Sequence, residues 1–191
     1  MFFNYMVLKL RNIITVYSIF FILVIHSVVA NEGFQENILK FNLDKEHNIL
    51  LSYIGEDKIL KGNLKGSLLS PVISFEKSNI SCDLLGRSYK GRGFSCGFSE
   101  VEDLSGYCYL ALPNNVDTFL TKWNCATTAG FDGDAICKGK VSIVSGNGKF
   151  AGIIGFGEIE MPLAKSLIEY EKNHALKLKI KIKYPLNIKK N

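Results

Sequence analysis

Five cysteines, Cys82, Cys96, Cys108, Cys125 and Cys137, are the side chains of this 191-residue sequence best suited to covalent chemistry. None belongs to a C-x-x-C pair or a comparable ligand cluster, so the set reads as disulfides and no metal is expected. Cys125 and Cys137 flank a Gly130-Phe131-Asp132-Gly133-Asp134 turn that can set two antiparallel strands side by side, which makes them the best pair. Cys96 and Cys108 flank a second hairpin, and Cys82 can reach either of them. Five is odd, so one thiol is left over, buried as a small hydrophobe or joined to another chain.

Other reactive types are sparse. Asp132 and Asp134 alternate as carboxylates do in a calcium turn, but the further oxygen ligands and bidentate Glu are missing, and an ordinary acidic turn is expected. His26, His47 and His174 have no neighbouring nucleophile pattern, and no catalytic residue is assigned. Gly146, Gly148, Gly152, Gly155 and Gly157 fit neither G-x-x-x-x-G-K-[ST] nor G-x-G-x-x-G and read as strand on both sides, so no nucleotide or other cofactor is expected. Their role is geometric: glycines inside strands permit bulges and sharp coiling, as a sheet needs when it curls. Asn79-Ile80-Ser81 matches a glycosylation acceptor, a pattern that occurs often by chance.

Two sets of residues have the types for binding. Trp123, Phe119, Tyr107, Tyr109 and Phe150 are candidates to line an apolar cavity, with plain core packing as the simpler role. Lys177, Lys179, Lys181 and Lys183 alternate with Leu176, Leu178, Ile180, Ile182 and Tyr184, which at period two puts every ammonium on one face of a strand. That row suits an anionic lipid, phosphate or acidic partner; a solvated outer face guarded against edge pairing is the plainer reading.

The elements that must position these residues are strands. Short apolar, branched and aromatic runs broken by Gly, Asn, Asp and Ser predict strands over 38–43, 48–54, 58–64, 72–75, 80–85, 89–98, 106–112, 118–124, 135–144, 150–160 and 175–184. One short helical connector is expected after Pro162, with Leu163, Leu167, Ile168 and Tyr170 near one face. No repeat or linker divides the chain further.

The first thirty residues have the layout of a secretory signal: Lys9 and Arg11, then an almost wholly apolar run from Ile13 to Val29, then Ala30 before a cut. The rival reading is an uncleaved anchor, the one route by which the chain meets a membrane, but His26 and Ser27 interrupt the run. Residues 1–30 are thus expected to be a signal peptide and 31–191 a single exported domain, periplasmic or extracellular. All five cysteines lie in the mature part, as suits an oxidising compartment. Removing Lys9 and Arg11 from 23 basic residues leaves 21 against 18 acidic ones, a net +3 too mild to imply nucleic acid. A chain of this size buries about 70% of its unfolded surface, so disulfides reinforce a core without replacing it.

Cys137-Lys138-Gly139 followed by Ser145-Gly146-Asn147-Gly148-Lys149-Phe150-Ala151-Gly152-Ile153-Ile154-Gly155-Phe156-Gly157 resembles the G-G-T-G-K-F-A-G-I-T-G-x-G signature of small exported bacterial proteins, themselves similar to the allene oxide cyclase and dirigent class. Trp123-Asn124-Cys125 and the Cys125 to Cys137 spacing resemble the same group, and the likeness runs from about Gly106 to Glu160. Ser145 and Asn147 replace the usual Gly and Thr, and Pro113-Asn114-Asn115-Val116-Asp117 keeps only the last Asp of an expected D-x-x-G-D turn. The resemblance implies an all-β fold: a single antiparallel, lipocalin-like barrel of about eight strands. No position matches a cyclase active site, so none is carried over. The expected function is a non-catalytic binding or interaction module for a small apolar ligand or an envelope partner. The alternatives are a cyclase or isomerase using the barrel cavity, and an envelope protein holding anionic lipid or polysaccharide through its C-terminal lysine strand.

Overall fold

The structure, a computed structural model, describes residues 33–44, 48–69, 72–91, 100–129, 135–164, 167 and 175–185. The chain divides into two compact units, Met1–Phe34 and Gln35–Asn191. The expected signal segment lies outside the described residues, as do Cys96, His47, His174, Asp132 and Asp134.

The second unit is all-β. Among the described residues it has nine strands: β1 (Gln35–Leu43), β2 (Asn48–Ile54), β3 (Asp57–Leu68), β4 (Asn79–Lys90), β5 (Glu100–Ala111), β6 (Thr118–Ala129), β7 (Ala135–Asn147), β8 (Ile154–Pro162) and β9 (Ala175–Lys183). They form one antiparallel sheet in which β3 to β9 follow one another, β1 pairs with β9, and β1 also pairs with β3, closing the sheet in a ring. β1 and β2 share one edge of β3: Leu43 lies opposite Gly66 and Asn48 opposite Asn63. β2 has no other ladder partner among the described residues.

Alternation along every strand but β2 fills the ring. Leu39, Phe41, Leu60, Leu64, Leu84, Leu104, Leu110, Trp123, Val141, Ile159, Leu178 and Ile180 all turn inward and are buried. Glycine interrupts the inward rows where neighbouring backbone comes close. A Cβ on Gly157 would collide with the Lys179 carbonyl oxygen and lie 2.8 Å from Ile180 Cα, and one on Gly106 would collide with the Asp83 carbonyl oxygen. These absent side chains let the sheet bend tightly enough to meet itself.

Both ends are closed. Residues 72–75 do not form the expected strand; Ile73–Phe75 is a 3-10 turn that drops Phe75 into the ring. A second such turn, Gly148–Phe150, does the same with Phe150, so the strand expected from 150 begins at Ile154 instead. Phe150 stacks on Phe75 at 5.6 Å and meets Phe119 edge-on at 5.2 Å, and Tyr184 stacks outside them. The expected strands 80–85 and 89–98 also change, because β4 runs unbroken to Lys90. At the other end Ala164 and Leu167 are buried, Leu167 donating its N–H to the Leu163 carbonyl at 3.1 Å in a helical turn.

Two disulfides brace neighbouring strands. Cys125 of β6 joins Cys137 of β7 with Cα atoms 5.4 Å apart. Cys108 of β5 joins Cys82 of β4, which corrects the expected Cys96–Cys108 pair. The reason is register: Cys82 and Cys108 stand directly opposite each other on adjacent strands, both turned inward. Two disulfides fit an oxidising, exported compartment.

Candidate functional site

Three of the five aromatic candidates for a cavity lining, Trp123, Phe119 and Phe150, are fully buried and are the filling of the ring. The other two, Tyr107 and Tyr109, are 45% and 46% exposed on the outside, which corrects that expectation. Period-two alternation decides it, since Gly106, Cys108 and Leu110 take the inward positions of β5 and force the tyrosines outward.

Inward-facing polar groups gather at the end closed by Ala164. Both carboxylate oxygens of buried Glu102 accept the Ala164 N–H, at 3.0 and 3.2 Å, and Thr127 Oγ1 accepts the Glu102 N–H at 2.7 Å. Beside it Ser88 donates its hydroxyl to Glu100 at 2.8 Å, and Lys58 pairs with the same carboxylate. The Glu100 hydrogen bond and charge hold the Lys58 ammonium above the ordinary lysine range, the opposite of what a lysine base requires. Among the described residues no three His, Cys, Asp or Glu side chains come together as metal ligands would, and no helix is long and apolar enough to cross a membrane.

The better candidate lies on the outer face of β5 to β9 and β1. Cross-strand register lays two rows of outward residues side by side. The first runs Tyr107, Lys122, Ser142, Phe156, Lys181, Glu36; the second runs Ser105, Asn124, Lys140, Glu158, Lys179, Ile38. Rows two residues apart on a strand are separated by about 6.6 Å, and neighbouring strands by about 4.8 Å. Between the rows the inward residues Trp123, Val141 and Gly157 bring main chain to the surface. The result is an open groove of about 1010 Å³, lined by most of both rows. A smaller depression of about 400 Å³ lies over β3 to β5, near Asp44, Lys65 and Tyr109.

Charge in the groove is unevenly met. Of the predicted lysine row, Lys177 pairs with Glu160 at 3.4 Å and Lys179 with Glu36 at 3.3 Å. Lys138 spans Glu160 at 3.3 Å and Glu158 at 3.7 Å, contacts that raise its ammonium above the usual range, the Glu160 hydrogen bond foremost. Lys181 makes no ion pair among the described residues, and neither do Lys122 and Lys140, which arrive from β6 and β7. Lys183 stands at the far end of its row, beyond the groove. The three lysines share the groove with Phe156, 54% exposed, and with the hydrogen-bonding side chains of Ser142, Asn124 and Ser105. Lys122 and Lys140 were not legible as partners of Lys181, because no single strand carries the pattern.

No family model matches the chain, and no curated protein matches it.

Proposed function

We propose that the mature chain is an exported, disulfide-braced β-barrel of the allene oxide cyclase and dirigent kind, and that it is a non-catalytic binding module holding an acidic polysaccharide across its outer face. Ring closure supports the barrel: β1 and β3 to β9, eight strands, pair edge to edge around the interior, and β2 lies outside that circuit on the edge of β3. The glycine motif supports the family reading, since Gly148 and Phe150 turn the chain into the aromatic plug and Gly157 permits tight coiling.

One observation carries the function: three lysines without ion pairs among the described residues line a single groove together with an exposed phenylalanine and a set of hydroxyl and amide groups. Lysines meet carboxylates or sulfates, an aromatic face takes a sugar ring, and Ser and Asn side chains serve sugar hydroxyls. The groove is at the upper end of the ~300–1,000 Å³ usual for small-molecule sites, which suits a run of linked sugars. The filled interior supports an outer-face site over an apolar ligand in the barrel. An open groove rich in hydrogen-bonding side chains also suits a polymer better than a bilayer.

The test is titration of the mature protein with polygalacturonate, dextran and vesicles containing phosphatidylglycerol at low and high salt. Binding to the acidic glycan that weakens with salt, with none to dextran, is expected. Equal binding to dextran, or binding to the vesicles alone, would overturn the reading.

A further inference from the structure

Among the described residues, ring closure gives every strand of the sheet a partner on both edges except β2. That strand, Asn48-Ile49-Leu50-Leu51-Ser52-Tyr53-Ile54, contains no charge, no proline and no bulge, the devices by which edges are ordinarily guarded against pairing. Apart from Ile49, which packs partly against the core, its side chains stay in water on both faces. Leu50 and Ile54, on the outer face, are 60% and 68% exposed, and Tyr53, on the inner face, is 69% exposed. Leu51 beside it is also exposed, because β2 carries the β2–β3 hairpin away from the filled interior.

We propose that β2 is the seam of a homodimer in which two copies add edge to edge in antiparallel fashion, continuing both sheets across a two-fold axis. A strand that completes β2 must be apolar on both faces, because it is flanked by apolar side chains above and below. β2 itself has that character, whereas β1, β3, β4, β6 and β9 set a buried apolar row against an outer row that is mostly polar or charged, and β5, β7 and β8 interrupt their outer rows with lysine, aspartate or glutamate. Two-fold pairing also preserves the faces. With Ser52 opposite its symmetry mate, Leu50 meets Ile54 and Leu51 meets Tyr53 of the second copy, so every large apolar side chain from 50 to 54 finds an apolar partner.

The experiment is native mass spectrometry and light scattering of the mature protein at tens of micromolar, with two variants. L50K/I54K changes two exposed outer-face residues and should keep the wild-type circular dichroism while shifting the population from dimer to monomer. S52C, mildly oxidised and mapped by peptide mass, should yield a disulfide between the thiols introduced at position 52 of the two copies. A monomeric wild type would overturn the proposal. So would a dimer that persists in L50K/I54K, including one joined through Cys96, or an S52C dimer that lacks the link at position 52.

Discussion

Asp117 Oδ1 accepts the main-chain N–H of Lys149 at 2.8 Å. The bond ties the loop before β6 to the 3-10 turn after β7, and Asn114 adds a second donor to the same carboxylate at 2.8 Å. Gly148, at φ +61°, lies against that carboxylate so closely that a Cβ would strike Oδ1. The contact therefore fixes where Phe150 enters the ring.

The Lys149 N–H, followed by the Asn114 amide, holds the Asp117 carboxyl below the usual carboxylate range. A depressed folded value stabilises the protein above the unfolded pKa of about 3.9 and is lost as pH falls through the lower folded value. D117N should therefore be less stable than wild type at pH 7, by about 1–2 kcal/mol, and the gap should shrink in acid. Urea denaturation at pH 7 and below pH 4 checks both; a gap that widens in acid would contradict this account.

The inward glycines make a steeper prediction. G157A should destabilise by about 1–3 kcal/mol, the usual cost of forcing volume into a packed site, because the new methyl meets main chain that cannot swing away. G106A should behave alike. Thermal unfolding within a degree of wild type for both would show that closure does not depend on these positions.

Each disulfide closes a loop whose length sets its worth in the chain-entropy model. The separations are 26 residues for Cys82–Cys108 and 12 for Cys125–Cys137. The corresponding losses for paired Ser variants are about 3.5 and about 3 kcal/mol. Non-reducing peptide mapping should recover both links, with Cys96 alkylated; a Cys96–Cys108 peptide would contradict the assignment.

Glu102 should matter to the closure beside Ala164. E102A leaves the Ala164 N–H without its acceptor, at a cost of about 1–3 kcal/mol. Hydrogen exchange should quicken at Ala164 and Leu167 before it does in β5. Unchanged exchange there would remove Glu102 from this role.

Much of the architecture could be read along the chain because it is local. The Leu, Ile and Lys alternation of β9 states its own faces, and the short spacing from Cys125 to Cys137 points to the pairing of β6 with β7. What escaped depends on neighbours. Ile73–Phe75 is an apolar run too short to distinguish a strand from a turn that delivers one aromatic. Tyr107 and Tyr109 face outward because Gly106 and Cys108 face inward, a parity fixed only once Cys82 stands opposite Cys108. Lys122, Lys140 and Lys181 lie on three strands, and the register that joins them appears only when the sheet is assembled.

The most direct measurement compares polygalacturonate affinity of wild type with two charge-matched variants. K122Q/K140Q/K181Q removes the three groove lysines that lack an acidic partner among the described residues, and K61Q/K65Q/K77Q removes three from β3 and the loop after it. The groove variant should lose about tenfold or more in Kd, at least ~1.4 kcal/mol, while the control stays near wild type. Equal losses in the two variants would mean that net charge, and not the groove, holds the polymer.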